Sequence, residues 1–257
     1  MTQLADALKA WTASAIDESK EPPVLMLSGA QGIGKTTALT VLSDWPSKRV
    51  ATLSLDDFYL TRAERQILSQ QIHPLCETRG PPGTHDVDRL VQTLSALRAG
   101  KSVVSWPVFD KARDDRVGNT AWEGKADAIL IEGWLLGALP KKTASTSAPI
   151  NALEESKDPN GTWRAWQEDA LSGPYAALWD QADRFFHIDA PDFSAVLNWR
   201  IEQEETTLGL TKGSLPEPRK RWVKSFIQHY ERITRRMLDG HRRDGAAFKV
   251  DFDREPL

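Results

Sequence analysis

The sequence predicts an α/β fold in which a doubly wound, mostly parallel sheet is flanked by helices. Six short apolar runs alternate with longer segments of helical periodicity along the 257 residues. Most of the runs are continuously apolar, as is typical of strands that are covered on both faces. Strands that alternate with helices in this way favour a parallel sheet. No Gly/Ser-rich or Pro-rich linker divides the chain, so we expect a single domain over 1–257.

The elements follow from local patterns. The predicted strands are 23–29, 49–55, 101–108, 127–133, 184–190 and 247–252. Helical periodicity is clearest in 86–100, 192–209 and 217–240, and the first and last of these segments end in glycine, which is common just beyond a helix. An amphipathic helix is also predicted over 2–18. The segment 217–240 places seven apolar residues on one predicted face: Trp222, Val223, Phe226, Ile227, Tyr230, Ile233 and Met237.

One region departs from the alternation. Residues 140–166 are polar and contain a "DPNG" turn, and no strand or helix is predicted there. A long insertion without secondary structure in a compact domain is usually either disordered or a functional lid. We expect one of these two for 140–166.

Composition limits the partners. The net charge is −3 and the isoelectric point is about 6.0, which gives no drive toward nucleic acid or an anionic membrane. The single cysteine, Cys76, excludes an internal disulfide and a cysteine-based zinc site. The polar N-terminus and the absence of a run of ~18 apolar residues favour a cytoplasmic protein.

The segment "GAQGIGKT", residues 29–36, matches the phosphate-loop pattern G-x-x-x-x-G-K-[ST] between a predicted strand and a predicted helix. Its glycines allow backbone N–H groups to turn toward a phosphate at the positive end of the helix. Lys35 is expected to be exposed and to reach the β- and γ-phosphates, and Thr36 to offer its hydroxyl to Mg²⁺. The sequence therefore predicts that the chain binds a nucleoside triphosphate. The predicted nucleotide contacts are Gly29, Gly32, Gly34, Lys35, Thr36 and Thr37.

Acidic residues follow two other predicted strands. Asp56 and Asp57 stand at the carboxyl end of the second strand, the edge at which ligands bind in doubly wound sheets. Either carboxylate could accept the proton of an acceptor hydroxyl, or could cap the next helix. Glu132 follows a buried strand and is expected to act on Mg²⁺ or on a metal-bound water. The N-K-x-D motif of GTPases does not occur in the sequence.

Taken together, the motifs resemble those of the D-glycerate 3-kinase family, within the group of phosphate-loop kinases that contains phosphoribulokinase, uridine kinase and pantothenate kinase. The resemblance covers about residues 22–240. The matching segments are the phosphate loop, "SLDDFYLT", "RGPPGTHD", "FDKARDDR", "ILIEGWLLG" and "WRIEQE". The resemblance implies ATP-dependent phosphorylation of a small hydroxylated metabolite. It also implies that Asp56 is the base and that Arg200 is a lid arginine near the phosphates.

The predicted acceptor side combines two segments. The stiff loop 78–90 presents Arg79, Thr84 and His85, although Thr84 or Asp86 could simply cap the following helix. The segment 109–116 offers Asp110 and Arg116 after a predicted strand, where a solvated turn is the alternative. The predicted acceptor contacts are Asp57, Tyr59, Arg79, Thr84, His85, Asp110 and Arg116.

The sequence thus predicts a kinase that moves the γ-phosphoryl group of MgATP to a hydroxyl of a small metabolite, with D-glycerate ranked first. Arg79 and Arg116 are the expected guanidinium groups for the glycerate carboxylate, because guanidinium binds a carboxylate through two parallel hydrogen bonds. Two alternatives stay open. One is a kinase for another acceptor, such as a nucleoside, pantothenate or a sugar-like molecule, and the other is an ATP-binding regulatory protein without fast transfer.

Overall fold

The computed structural model describes residues 2–141 and 148–257. Its main sheet has five parallel strands in the order β2-β5-β1-β6-β7. The strands are β1 (Val24–Gly29), β2 (Val50–Ser54), β5 (Ala128–Gly133), β6 (Arg184–Asp189) and β7 (Ala246–Lys249). The chain leaves β1 toward the β2 edge and later crosses to β6 on the other side of β1. The predicted doubly wound fold class is confirmed.

Nine α-helices surround this sheet and its loops in the described part of the chain. They are α1 (Thr2–Glu18), α2 (Lys35–Ser43), α3 (Arg62–Gln71), α4 (Val87–Arg98), α5 (Ala152–Lys157), α6 (Thr162–Ser172), α7 (Pro174–Trp179), α8 (Phe193–Thr207) and α9 (Glu217–Leu238). Short 3-10 helices span Leu55–Phe58 and Pro74–Glu77. Side chains cap several helix starts, as when the Asp86 carboxylate accepts the N–H of Arg89 at the start of α4.

The predicted strand 101–108 forms part of a separate hairpin and does not enter the parallel sheet. Strand β3 (Val103–Asp110) pairs antiparallel with β4 (Asp115–Glu123), which the sequence analysis missed. Most of β4 is exposed, so it carries no apolar periodicity that could have revealed it. The segment 109–116 is therefore the tip of a hairpin, and the expectation that it follows a strand of the parallel sheet is wrong.

The core forms where the sheet meets its helices. Every residue of β1 is buried, and β5 is buried except at Glu132. Helix α9 packs its apolar face inward through residues such as Ile227, Ile233 and Met237. Trp222 departs from the predicted face, because 42% of it is exposed and it stacks on Phe226.

The expectation that 140–166 lacks secondary structure is wrong for the described part. Residues 142–147 lie outside the described residues, whereas Ala152–Lys157 and Thr162–Ser172 are helical. Buried ion pairs explain the polar composition: Glu154 pairs with Arg232 of α9, and Asp158 pairs with Arg164. Glu154, Asp158 and Arg164 are each at most 2% exposed. Charged residues that the sequence predicts to be solvent-exposed are thus buried, and the pair of Glu154 with Arg232 fixes this segment to α9.

The start of α6 also packs against the loop 78–90. Gly83 has φ of +89°, and a Cβ atom there would lie 2.2 Å from the ring of Trp166. We expect Gly83→Ala to lower the free energy of unfolding by about 2 kcal/mol or more, because left-handed backbone strain and overpacking both act. Gly209 is a matched control, since its φ is +67° but no atom lies within 4 Å of the added Cβ. Gly209→Ala should cost only about 1 kcal/mol in urea unfolding. Equal losses would contradict the close packing at Trp166.

Candidate active site

The phosphate loop runs from the end of β1 to the start of α2. Gly32 and Gly34 have φ of +76° and +102°, which a residue with a side chain adopts only at a cost. A Cβ atom at Gly32 would also lie 2.8 Å from Cβ of Trp199 on α8. Both features favour glycine here, and they bring the loop close to α8. Thr36 and Thr37 follow on the exposed first turn of α2.

Lys35 is directed into the loop. Its ammonium donates to the carbonyl oxygen of Gly29 at 2.7 Å and lies 3.8 Å from Oε2 of Glu132. Its side chain is only 12% exposed, so the expectation that Lys35 is exposed is wrong. Burial lowers the pKa of Lys35, and the carboxylates of Glu132 and Asp56 oppose that shift. A cation in this position suits the binding of a polyphosphate.

The C-terminal segment holds the loop from outside. Nε of Arg254 donates to the carbonyl oxygen of Gly32 at 2.8 Å, and its Nη2 pairs with Glu202 of α8 at 2.9 Å. The guanidinium also lies over the ring of Trp199. Arg254 itself has φ of +65°, so its backbone is strained where it makes these contacts.

We expect Arg254→Gln to raise the KM for ATP by about 10-fold, because the Gly32 carbonyl loses a charge-assisted hydrogen bond. The KM for the acceptor should change little, since the Arg254 side chain contacts the phosphate loop and α8 rather than the acceptor side. The neighbouring Asp253→Asn is the control, as Asp253 is exposed. Steady-state kinetics with each substrate varied in turn would check this. A rise confined to the acceptor KM would contradict it.

The two aspartates of the 3-10 helix after β2 point to different partners. Oδ1 of Asp56 accepts a hydrogen bond from the Tyr59 hydroxyl at 2.6 Å, and Oδ2 lies 2.6 Å from the ammonium of Lys111. Oδ1 of Asp57 instead accepts the backbone N–H of Phe109 on β3 at 3.2 Å. Asp57 therefore ties the hairpin to the sheet, whereas Asp56 faces the cations. This division favours Asp56 as the base.

Their pKa values differ in direction. Burial acts to raise the pKa of Asp56, but Lys111, Tyr59 and Lys35 outweigh it, so this pKa lies below its ordinary value. Burial raises the pKa of Asp57, and the nearby charges of Asp56 and Glu132 add to that shift, against the hydrogen bond from Phe109. Asp56 is thus held as a carboxylate, the form that can accept a proton.

Glu132 stands near the carboxyl end of β5, between β1 and β2. Its Oε1 accepts the hydroxyl hydrogen of Ser54 at 2.5 Å, and Oε2 faces Lys35. A hydroxyl oxygen at Thr36 and a carboxylate at Glu132 are the kinds of ligand that Mg²⁺ prefers. The donor set is therefore compatible with Mg²⁺ bound together with a triphosphate.

The loop 78–90 holds its predicted residues in three different settings. Thr84 is fully buried, and its hydroxyl bridges the N–H of Gly80 and the carbonyl of Pro81, so it stabilises the loop. Arg79 pairs with Asp114 at the hairpin tip. Arg79 as a contact of the acceptor carboxylate stays a prediction, and its guanidinium is held in place by the Asp114 carboxylate.

His85 is buried beside Tyr59, with ring centroids 4.9 Å apart. Its Nδ1 is 2.5 Å from the hydroxyl of Tyr175, which itself accepts the N–H of Gly83. Among the described residues, Nε2 of His85 has no hydrogen-bond partner. Burial lowers the pKa of His85 to about 4, against the attraction of Asp56, so the ring is neutral at pH 7.

The hairpin residues predicted to bind the acceptor are engaged in holding the hairpin itself. Oδ1 of Asp110 accepts two backbone N–H groups of the tip, from Ala112 and Arg113. Arg116 donates to the carbonyl oxygen of Tyr59 at 2.8 Å and pairs with Asp86 at 3.1 Å. Both residues therefore position the hairpin, and Lys111, which the sequence analysis did not select, is the cation that reaches Asp56.

Arg200 lies on α8, one residue after Trp199, and pairs with Glu204 at 2.9 Å. Its guanidinium lies over the ring of Phe226 on α9. Tyr230 of α9 contacts the loop 78–90, because its hydroxyl donates to the carbonyl oxygen of Arg79 at 2.7 Å. Arg200 is thus placed between α8 and α9, and Tyr230 joins α9 to the loop 78–90.

No family model matches the chain. An uncharacterized kinase of Schizosaccharomyces pombe, mug58, is 30% identical over 225 residues, which cover 81% of this chain and 78% of the relative. The chloroplastic D-glycerate 3-kinase of Arabidopsis thaliana is 34% identical over 200 residues, covering 71% of this chain but only 41% of the plant protein. The solved structure of a D-glycerate 3-kinase from Cryptococcus neoformans is similar over 100% of this chain and 97% of that one, with a TM-score of 0.78 and 27% identity.

The chain belongs to the D-glycerate 3-kinase family. The resemblance inferred from the sequence motifs is confirmed, and with it the predicted enzyme class. As a member of this family of phosphate-loop kinases, the protein is an ATP-dependent small-molecule kinase whose acceptor is an alcohol group. In the part of the chain that the structure describes, no helix is both long enough and apolar enough to cross a membrane.

Proposed function

We propose that this family member transfers the γ-phosphoryl group of MgATP to a hydroxyl of D-glycerate. The observation that carries the proposal is the setting of Asp56, which pairs with Lys111 of the hairpin at 2.6 Å and interacts electrostatically with Lys35 of the phosphate loop. The carboxylate thus interacts with a cation for the nucleotide phosphates and with a cation suited to an anionic acceptor. The relatives from Arabidopsis and Cryptococcus, both named D-glycerate 3-kinases, support the choice of acceptor.

The nucleotide side rests on the loop and its helix. Backbone N–H groups of the phosphate loop and the ammonium of Lys35 would hold the phosphates, and Arg200 of α8 is the residue that the family resemblance implies as a further phosphate contact. Thr36 and Glu132 would hold Mg²⁺, which supplies charge neutralisation on the phosphates when it is bound. Arg254 keeps the loop in place by binding the carbonyl oxygen of Gly32.

The acceptor side rests on Asp56. Its carboxylate accepts the proton of the acceptor hydroxyl as the hydroxyl oxygen bonds to the γ-phosphorus and the bond to the β–γ bridging oxygen breaks. Tyr59 orients the carboxylate through its hydroxyl, and His85 packs against Tyr59. The Nε2 of His85 is a further polar atom that an acceptor oxygen could satisfy, since a buried polar atom without a partner is costly.

A nucleoside acceptor is less compatible with this site. Such an acceptor would need an exposed aromatic surface on which to stack its base. Phe58 is fully buried and Tyr59 is 4% exposed, and the ring of Tyr59 already packs on His85 and Phe109. Neither ring is free to stack a base. The geometry therefore supports a small acceptor without an aromatic base.

ATP consumption with D-glycerate, L-glycerate, pantothenate and uridine, each supplied separately, tests the proposal. We expect the highest kcat/KM with D-glycerate. A Lys35→Met preparation, purified identically, controls for contaminating kinases. A clear preference for pantothenate or uridine would contradict the acceptor assignment and leave the enzyme class intact. ATP binding without turnover on any acceptor would support a regulatory protein instead.

A further inference from the structure

Lys111 occupies the tip of the β3–β4 hairpin and reaches the proposed base. Its ammonium lies 2.6 Å from Oδ2 of Asp56, while the Lys111 side chain is 60% exposed. The Asp56 carboxylate is much less exposed, at 25%. An exposed lysine with a flexible four-carbon stem can move its ammonium by several ångströms without disturbing the backbone. The contact with Asp56 is therefore one that Lys111 can exchange for another partner.

The two arginines beside Lys111 cannot exchange partners as easily. Arg116 binds the carbonyl oxygen of Tyr59 and the carboxylate of Asp86, and its side chain is only 15% exposed. Arg79 pairs with Asp114 and lies over the ring of Phe109. Releasing Arg116 would take a partner from the carbonyl oxygen of Tyr59 and from the carboxylate of Asp86, and releasing Arg79 would take one from the carboxylate of Asp114. These arginines fix the hairpin, so of the three cations compared, Lys111 is the one that can most readily meet an incoming anion.

The base of the hairpin is held rigidly against the sheet. Asp57 accepts the N–H of Phe109 on β3, and Arg116 on β4 donates to Tyr59. Asp110 shapes the tip through two backbone hydrogen bonds. The backbone of Lys111 is thus positioned beside the 3-10 helix, and the direction of its side chain is the variable part.

Several other ionisable groups surround Asp56. The lysine of the phosphate loop lies on the α2 side, Asp57 lies on the same 3-10 helix, and Tyr59 directly follows that helix. His85 of the loop 78–90 and Tyr230 of α9 also interact electrostatically with Asp56. His85, Tyr59 and Tyr230 are neutral at pH 7, so the cations that balance the carboxylate are the loop lysine and Lys111.

We propose that Lys111 selects acceptors that carry a carboxylate, by moving from Asp56 to the acceptor when the acceptor binds. The proposal rests on the proposed function. When Asp56 takes up the proton of the acceptor hydroxyl, it becomes neutral and no longer balances the charge of Lys111. An acceptor carboxylate supplies the replacement anion, whereas an uncharged acceptor leaves the ammonium without one. Lys111 thereby favours anionic acceptors from the moment of binding through to the state in which the proton has moved.

The test compares D-glycerate with D-glyceramide, which keeps both hydroxyls and replaces the carboxylate with an uncharged amide. For Lys111→Met, we expect the ratio of kcat/KM for D-glycerate to kcat/KM for D-glyceramide to fall by about 10- to 100-fold, with the loss in the KM for D-glycerate. The KM for ATP should stay within about twofold. Lys111→Arg should restore part of the ratio because it keeps a positive charge. Arg113→Met, at the same tip, is the control and should behave as the wild type.

The outcomes separate the inference from the proposed function. Equal loss of activity on both acceptors would show that Lys111 only supports the hairpin, and it would overturn the inference. If the wild type ignores D-glycerate but phosphorylates pantothenate, the proposed function fails, and the same variants compared on pantothenate and its uncharged alcohol, panthenol, decide the inference. A wild type that prefers uridine would overturn both. Thermal unfolding midpoints of the variants confirm that each one is folded.

Discussion

Lys35→Met should lower kcat by about 10²-fold or more, because it removes a preorganised cation from the site where charge develops on the transferred phosphoryl group. Methionine keeps the apolar stem inside the loop, whereas alanine would also leave a gap in a side chain that is only 12% exposed. The variant should fold, although Glu132 loses its nearby cation. Lys35→Ala should lose phosphoryl transfer to the same degree.

Steady-state ATP consumption with the preferred acceptor measures this effect, and urea unfolding measures stability in parallel. Lys20→Ala, which changes an exposed lysine outside the site, is the control for loss of a positive charge. A folded Lys35→Met enzyme with unchanged kcat would refute the assignment of residues 29–36 as the phosphate loop of this kinase.

Asp56→Asn should lower kcat by about 10²- to 10⁴-fold, because the amide cannot take up the proton of the acceptor hydroxyl. The substitution preserves shape, and the amide oxygen can still accept the hydrogen bond from Tyr59. ATP binding should change little, since the contacts of Asp56 with Tyr59 and Lys111 lie on the acceptor side. Single-turnover phosphoryl transfer with saturating ATP isolates the chemical step.

Asp57→Asn is the matched control for that prediction. Its amide oxygen can still accept the N–H of Phe109, so the hairpin should stay attached and kcat should remain near the wild-type value. The opposite result, a large loss from Asp57→Asn and little loss from Asp56→Asn, would mean that Asp57 is the base. The structure favours a large loss of kcat from Asp56→Asn and little loss from Asp57→Asn, because Asp57 is turned toward the hairpin backbone.

Motifs that depend on adjacent residues could be read directly from the sequence. The phosphate loop, the acidic residues at the carboxyl ends of β2 and β5, and the helix α9 all follow from short-range patterns. A loop of glycines ending in Lys35 needs only the strand before it and the helix after it to be recognised. The parallel sheet followed from continuous apolar runs, because strands buried on both faces cannot alternate.

The contacts that the sequence did not reveal join residues that are distant in the chain. Thr84 and Arg116 have the chemistry of ligand-binding groups, but the structure uses them to hold a loop and a hairpin. Glu154 lies in a segment whose polar composition is typical of solvent exposure. It is nevertheless buried and pairs with Arg232 of α9, more than 70 positions later in the chain. Sequence spacing does not show which of these charges will find a partner.

The sequence by itself determined the fold class, the phosphate loop and the kinase family, because each is encoded in contiguous motifs and in local periodicity. Only the tertiary structure decided which cation reaches Asp56, which aspartate supports the hairpin, and that Arg254 holds the loop at Gly32. The physical reason is that these roles are set by pairing between segments that are distant in the chain. Whether a charged group can act on a ligand depends on the partners that the fold gives it and on how readily it can exchange them, as the contrast between Lys111 and Arg116 illustrates.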